Sequence, residues 1–148
     1  MPEKATLRRA REDLRRGKRP TTAAGEFVRE EIEHVRHGKH GARSPQQAIA
    51  IGLSKARRAG VHLKAPKRGT ASASTRKKAR QDSRRSHRKS SPSRTRSRAT
   101  SKALRREGHS AASRASLSRQ ARSSARRRSR TARSRSAKKA ARTRKRES

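Results

Sequence analysis

Residues 44–60 read SPQQAIAIGLSKARRAG, and this stretch carries the strongest helix signals in the chain. The Ser44 hydroxyl is suited to cap a free backbone N–H, Pro45 fits the first helical position, and a glutamine three residues after the cap completes a capping box. Gly60 is suited to end the helix as its left-handed C-terminal residue. Start and stop signals together predict a helix near residues 45–59.

One face of this predicted helix is apolar and bordered by small residues. Ile49, Leu53 and Ala56 fall on one helical stripe, with Ala48 and Gly52 beside it. Side chains this small allow a second backbone to approach closely. We therefore expect this helix to pack tightly against another helix.

Two more helices are predicted ahead of this stretch. The first, near residues 3–16, has two leucines and an alanine at helical spacing, and the second, near residues 22–37, has two valines and an isoleucine at positions i, i+4 and i+7. Thr21–Thr22 is expected to cap the second helix, since either hydroxyl can accept a hydrogen bond from a free backbone N–H. Gly17 and Gly38 follow the two helices and are suited to end them.

Charge and apolar side chains divide the chain near residue 66. Its 148 residues include 47 Lys or Arg and 10 Asp or Glu, for a formal net charge of +37, and only 26% are hydrophobic. Residues 1–66, the head, carry a net charge of +9 and all but two of the Met, Leu, Ile, Val and Phe residues. Residues 67–148, the tail, carry a net charge of +28.

The tail is predicted to be disordered or only conditionally helical. Its like charges repel, and it has too few apolar side chains to offset the entropy lost on folding. Neither Gly nor Pro follows Gly108, and Ala and Arg favour helices, so segments near 111–128 and 132–146 are expected to become helical when a polyanion neutralises them. The predicted fold class is a small all-α head of two to three short helices followed by a long disordered or conditionally helical basic tail.

Several protein classes are excluded by composition. The longest nearly apolar run, Ala48–Leu53, is far shorter than the roughly 20 residues of a membrane-spanning helix, and no apolar segment of a secretory signal peptide follows Met1. The chain has no cysteine for disulfides or thiolate metal sites. We therefore expect a cytoplasmic protein that is located at the nucleoid and has no membrane partner.

The tail composition predicts nucleic-acid binding, because Lys and Arg neutralise phosphates and release condensed counterions. Arg outnumbers Lys almost threefold in the tail, which favours bidentate phosphate contacts, and no aromatic residue is present there for stacking on unpaired bases. A Ser-Pro-x-basic unit at residues 91–94 resembles one in histone tails. Duplex DNA, bound largely without sequence preference, is thus the predicted partner. The predicted phosphate-binding residues are Arg76, Lys77, Lys78, Arg84, Arg85, Arg94, Arg96, Arg98, Arg105, Arg106, Arg126, Arg127, Arg128, Arg130, Arg133, Arg135, Lys138, Lys139, Arg142 and Arg144.

A catalytic, metal or cofactor site is not predicted. No Gly-rich phosphate loop, serine elbow or metal-binding helix motif is present. The acids of the second helix are interpreted as surface ion pairs with neighbouring arginines, and the histidines that recur every three residues as polar surface without a clear fourth ligand. These residues are Glu30, Glu31, Glu33, His34, His37 and His40.

Other functions remain open at this point. The second and third helices resemble a helix-turn-helix in which Gln46 and Gln47 contact adenine edges, but the connection at 38–43 exceeds the usual 3–4 residues. A helical hairpin used for docking or self-association through residues 20–66 is preferred. An RNA- or ribosome-associated protein is one alternative, and an adaptor whose head binds a protein while its tail holds DNA is another.

The head also resembles a family of short basic bacterial proteins. The similar segments are TTAAGEFV at 21–28, GKHG at 38–41 and above all residues 44–60, and the resemblance covers about residues 20–66. The domain of this family has no assigned function, and its members are often labelled plasmid stabilisation or DNA-binding proteins. The resemblance implies a bacterial cytoplasmic protein and supplies no catalytic residues. The tail resembles bacterial histone-like tails by composition.

Overall fold

The computed structural model describes residues 1–86 and 93–147, with side chains to residue 146. The described residues form α-helices and one short 3-10 turn, and no strand is found among them. The helices are α1 (Lys4–Arg15), α2 (Pro20–Arg36), α3 (Pro45–Arg58), α4 (Ala73–Arg85), α5 (Arg94–Arg105), α6 (Arg114–Arg126) and α7 (Arg130–Glu147), and the 3-10 turn is Ser110–Ala112.

The prediction of a small helical head with a long disordered tail is wrong. Four of the seven helices found among the described residues lie beyond residue 67. Two causes explain the difference. The frequent Ala, Arg and Lys residues of the tail favour helix locally, and tail side chains such as Ala79, Ala111 and Ala112 are buried in the first unit, where α4 and the 3-10 turn pack against α3.

The first three helices lie within two residues of their predicted ranges, but one cap differs. Ser44 caps α3 as predicted, accepting a hydrogen bond from the Gln47 backbone N–H at 3.2 Å. The prediction that Thr21–Thr22 caps α2 is wrong. That helix begins at Pro20, whose fixed φ suits the first turn, and the residue before it, Arg19, makes no side-chain cap.

Helices α2 and α3 pack directly against each other, as the small residues of α3 predicted. Gly52 is fully enclosed at the crossing, where an added Cβ would lie 2.7 Å from the Val28 Cα and 3.0 Å from the Phe27 carbonyl oxygen. The two backbones meet because Gly52 lacks a side chain. This pair is the scaffold against which α1, α4 and the 3-10 turn pack.

A first core fills the space between α1, α2 and α3. Phe27 lies in this core and is 1% exposed, and the other buried members of the cluster have small side chains. Leu7, Leu53 and Leu63 pack on its edge. The remaining buried members are Ala10, Ala23, Ala24, Ala56 and Val61.

A second core includes residues that belong to the predicted tail. Val35 of α2 and Ala48 of α3 pack with Ala111 and Ala112 of the 3-10 turn. The segment is also held by main-chain hydrogen bonds, from the Gly41 N–H to the Leu104 carbonyl and from the Ala42 N–H to the Gly108 carbonyl. The Arg36 Nε donates to the Ala112 carbonyl at 2.9 Å.

The chain forms two compact units, residues 1–113 and residues 114–148. In the first unit, α4 packs against α3 through buried Ala79 and Asp82. The second unit contains α6 and α7, and α6 buries no residue completely. The first compact unit therefore extends well past the composition break near residue 66.

Candidate nucleic-acid interface

The predicted phosphate-binding residues of the first unit lie on α4 and α5. On α4, Arg76 is half-buried, whereas its other predicted cations are exposed. On α5 no residue is buried, and all of its predicted cations face solvent. The exposed set is Lys77, Lys78, Arg84, Arg85, Arg94, Arg96, Arg98, Arg105 and Arg106.

A shallow groove on α5 is lined by cations that recur once per helical turn. Arg98, Lys102 and Arg105 follow at intervals of four and three residues, with Arg106 beside them. Because residues seven apart on a helix are separated by about 10.5 Å, these side chains form one positive stripe along a single face. The sequence-based prediction missed Lys102, although its spacing from Arg98 was a visible signal.

In the second unit, α6 carries a similar stripe. Arg119, Arg122 and Arg126 recur at intervals of three and four residues and line a groove with Arg127. Arg119 and Arg122 were also missed by the prediction, although the same spacing identifies them. The other predicted residues of this unit are exposed on the link to α7 or on α7 itself, namely Arg128, Arg130, Arg133, Arg135, Lys138, Lys139, Arg142 and Arg144.

Within the part of the chain that the structure describes, most of the predicted cations form no ion pair with a carboxylate. Arg144 aside, none of them pairs with a carboxylate within residues 1–86 and 93–146. In the head, by contrast, cations pair with acids, as Arg9 does with Glu26 and Lys18 with Asp13. The positive field is therefore concentrated on the exposed faces of α4 to α7.

Two acids of the predicted tail face inward, toward residues of the head. Asp82 is 4% exposed and accepts a hydrogen bond from the Ser54 hydroxyl at 2.7 Å. Burial lowers the pKa of Arg57, and the nearby Asp82 carboxylate opposes that effect, so Asp82 helps to keep Arg57 charged. Glu107 lies 3.5 Å from the Arg43 guanidinium. Burial of Asp82 removes the one acid of α4 from its exposed surface, and Glu107 is paired with a cation of the head.

The interpretation of Glu30 and Glu31 as surface ion pairs is wrong. They are 3% and 1% exposed, respectively, and lie at the interface of α2 with α3. Lys55 of α3 places its Nζ 2.5 Å from the Glu31 Oε2 and 3.8 Å from the Glu30 Oε1. His40 lies opposite, with its Nε2 3.1 Å from the Glu31 Oε1. Sequence reasoning missed this cluster because Lys55 is 24 residues from Glu31 and only packing unites them.

His34 belongs to the same polar cluster and links it to the N-terminus. Its Nε2 lies 3.0 Å from the Glu3 Oε1, and the Lys39 Nζ donates to that oxygen at 2.9 Å. Hydrogen bonds from Lys39 and His34 lower the pKa of Glu3 to about 2. The prediction of polar surface is wrong for His34 and His40, whose side chains are 13% and 16% exposed, whereas His37 is exposed.

The helix-turn-helix hypothesis loses one of its two base-reading candidates. Gln47 is committed internally, since its backbone N–H donates to Ser44 and its Oε1 accepts from the Arg43 backbone N–H at 2.6 Å. The α2–α3 pair is a helical hairpin built on close packing. The head therefore offers less for base recognition than the sequence pattern allowed.

No protein-family model matches this chain, and no curated protein or solved structure is significantly similar to it.

Among the described residues, no helix combines the length and apolarity needed to cross a membrane. Ser91 and Pro92 of the histone-like unit at residues 91–94 lie outside the described residues. The family resemblance of residues 20–66 stays a prediction.

Proposed function

We propose that this protein is a non-enzymatic DNA-binding protein that contacts duplex phosphates through the exposed basic faces of α4 to α7. The observation that supports the proposal most is the positive stripe on α5, whose cations form no ion pair with a carboxylate of the described residues. Its helix, RTRSRATSKALR, contains no acid and buries no residue. Such a surface attracts a polyanion, because each phosphate that a Lys or Arg neutralises releases condensed counterions.

Helical order supports binding through phosphates rather than through base edges. A helix presents Arg98, Lys102 and Arg105 at regular intervals without the entropy cost of ordering a coil at binding. The guanidinium groups can each make two parallel hydrogen bonds to a phosphate. Contacts of this kind position a protein on DNA and carry no sequence information.

The aromatic content favours a duplex over unpaired bases. Binding of single strands relies on aromatic side chains that stack on the bases. Phe27 is the only Phe, Trp or Tyr residue in the sequence. It is 1% exposed and lies in the first core. Stacking by these residue types is therefore ruled out as a source of affinity.

The test is a salt titration of the full chain with labelled duplex DNA, followed by fluorescence anisotropy between about 50 and 200 mM salt, the range over which phosphate-dominated affinity falls steeply. The variant R98Q/K102Q/R105Q removes the α5 stripe. If all three side chains contact phosphates, the slope of log K against log salt should become shallower by roughly 2.7. Circular dichroism verifies that the variant keeps its helices.

A matched control lies on α1. Lys4, Arg8 and Arg11 have the same spacing and are exposed, but their helix also carries Glu12 and Asp13. The variant K4Q/R8Q/R11Q loses the same charge and should change the slope much less. Equal effects of the two variants would show that α5 is not the interface. Tighter binding to structured RNA than to duplex DNA at matched salt would replace DNA with RNA as the partner.

A further inference from the structure

Three potential metal ligands from separate parts of the α2–α3 region meet inside the first unit. Glu31 and His34 lie on α2, and His40 lies in the turn that follows it. One ligand atom from each lies within 4.8 Å of the other two. The Glu31 Oε1 and His40 Nε2 are already 3.1 Å apart, a separation compatible with two ligands that share an ion at about 2.0–2.2 Å from each.

The hydrogen bonds around these groups match the outer shell of a metal site. The His40 Nδ1 lies 3.0 Å from the Gly41 carbonyl oxygen, so a tautomer protonated at Nδ1 would donate to that oxygen and offer the Nε2, which lies 3.1 Å from Glu31, to a metal ion. The Lys55 Nζ lies 2.5 Å from the Glu31 Oε2, which leaves the Oε1 as the ligand atom. Ligating imidazoles and carboxylates in proteins are usually oriented by such contacts.

The Glu31 carboxylate lacks the hydrogen bonds that its burial calls for. It is 1% exposed, and no hydrogen bond of good geometry reaches either of its oxygens from the described residues, although Lys55 and His40 lie within ion-pair distance. A buried carboxylate without such bonds is costly, and a cation at the Oε1 would compensate for it.

We propose that Glu31, His34 and His40 bind a divalent transition-metal ion, Zn²⁺ being the best match. Two imidazoles and one carboxylate form a ligand set typical of Zn²⁺, whereas Mg²⁺ and Ca²⁺ prefer oxygen ligands alone. A water molecule would fill the fourth position. The ion would tie α2 to the turn after it, a role independent of DNA binding.

The site is tested on the full chain with Zn²⁺ alone, in competition with a chromophoric chelator and without nucleic acid. We expect one tight equivalent and a thermal midpoint that rises with Zn²⁺, because an ion that binds only the folded state stabilises it. H40N and E31Q should each weaken binding at least about tenfold. H37N is the matched control, since His37 is exposed three residues from His34, and it should leave the affinity within about twofold.

A measurement on the unaltered chain tests the metal site even if these variants fail to fold. In the ¹⁵N-labelled protein, one equivalent of Zn²⁺ should shift the ring nitrogen resonances of His34 and His40 and leave those of His37 in place. Shifts spread evenly over the histidines, absence of tight binding, or an equal loss of affinity in H37N would each overturn the site.

Discussion

Gly52 shows how a single missing side chain determines the geometry of residues 1–113. Its position on the small flank of α3 suggested close packing, and the structure places it against the backbone of Val28 and Phe27. Gly25 of α2 provides a contrast, because an added Cβ there would meet no atom within 4 Å. Both glycines are in helices, so they differ mainly in what surrounds them.

We expect G52A to destabilise the protein by about 1–3 kcal/mol, since the methyl group must push two backbones apart. G25A should stabilise it by about 0.5–1 kcal/mol, because Ala loses less conformational freedom than Gly in a helix. Urea unfolding followed by circular dichroism measures both changes. Destabilisation by G25A as large as that by G52A would contradict the packing explanation.

Glu3 makes the stability of the protein sensitive to acid. Its folded pKa of about 2 lies below the ordinary value of 4.5, so the carboxylate stabilises the folded state above pH 4.5. This contribution should be lost as the pH falls from 4.5 to about 2. Thermal midpoints across this window should fall less steeply in E3Q and in K39M than in the unaltered protein. An unchanged profile in both variants would show that the Lys39–Glu3 contact does not contribute.

At the scale of elements, a local pattern was sufficient for α1 to α3 and insufficient for the docking of residues 104–112. Helical spacing and capping residues act over about four positions, so they can be read from adjacent residues. Docking of residues 104–112 depends on partners far apart in sequence, such as Arg36 and the Ala112 carbonyl, which are 76 positions apart. The small side chains of Ala111 and Ala112 gave no signal of burial, because alanine occurs throughout the tail.

Gly41 controls this docking. An added Cβ would overlap the backbone of Glu107 and lie 2.7 Å from the Gly108 carbonyl oxygen, whereas one at Gly108 would meet no atom within 4 Å. We expect G41A to undock residues 104–112 at a cost of about 1–3 kcal/mol. Hydrogen exchange of the Ala42 amide, which donates to the Gly108 carbonyl, should become faster. G108A should leave that exchange rate nearly unchanged, and equal acceleration in both variants would contradict this role of Gly41.

At the scale of the whole molecule, the net charge of +37 has a structural distribution that composition alone did not reveal. Head acids pair with some of the head cations, and the tail acids Asp82 and Glu107 contact residues of the head. Residues 114–148 carry a net charge of +14 with one acid among them. The described part of the tail thus consists mainly of basic helices, with most of its cations exposed.

The candidate sites differ in how far the sequence revealed them. The cations of α4 to α7 were largely identified from composition, and helical spacing completes the stripes with Lys102 and Arg119. The polar cluster of Glu31 and His40 was misread as surface. Burial of a charged residue depends on which elements cover it, and α3 brings Lys55 to Glu31 only after folding.

The sequence by itself determined the start and end of α3 and the bounds of α1 and α2 within two residues. These properties follow from capping and helical periodicity, which depend only on residues that are close in the sequence. Tertiary structure alone decided that residues 104–112 complete a core, that Asp82 is buried against Ser54, and that Glu31, His34 and His40 converge. Such outcomes depend on the energies of contacts between distant residues, which no local pattern encodes.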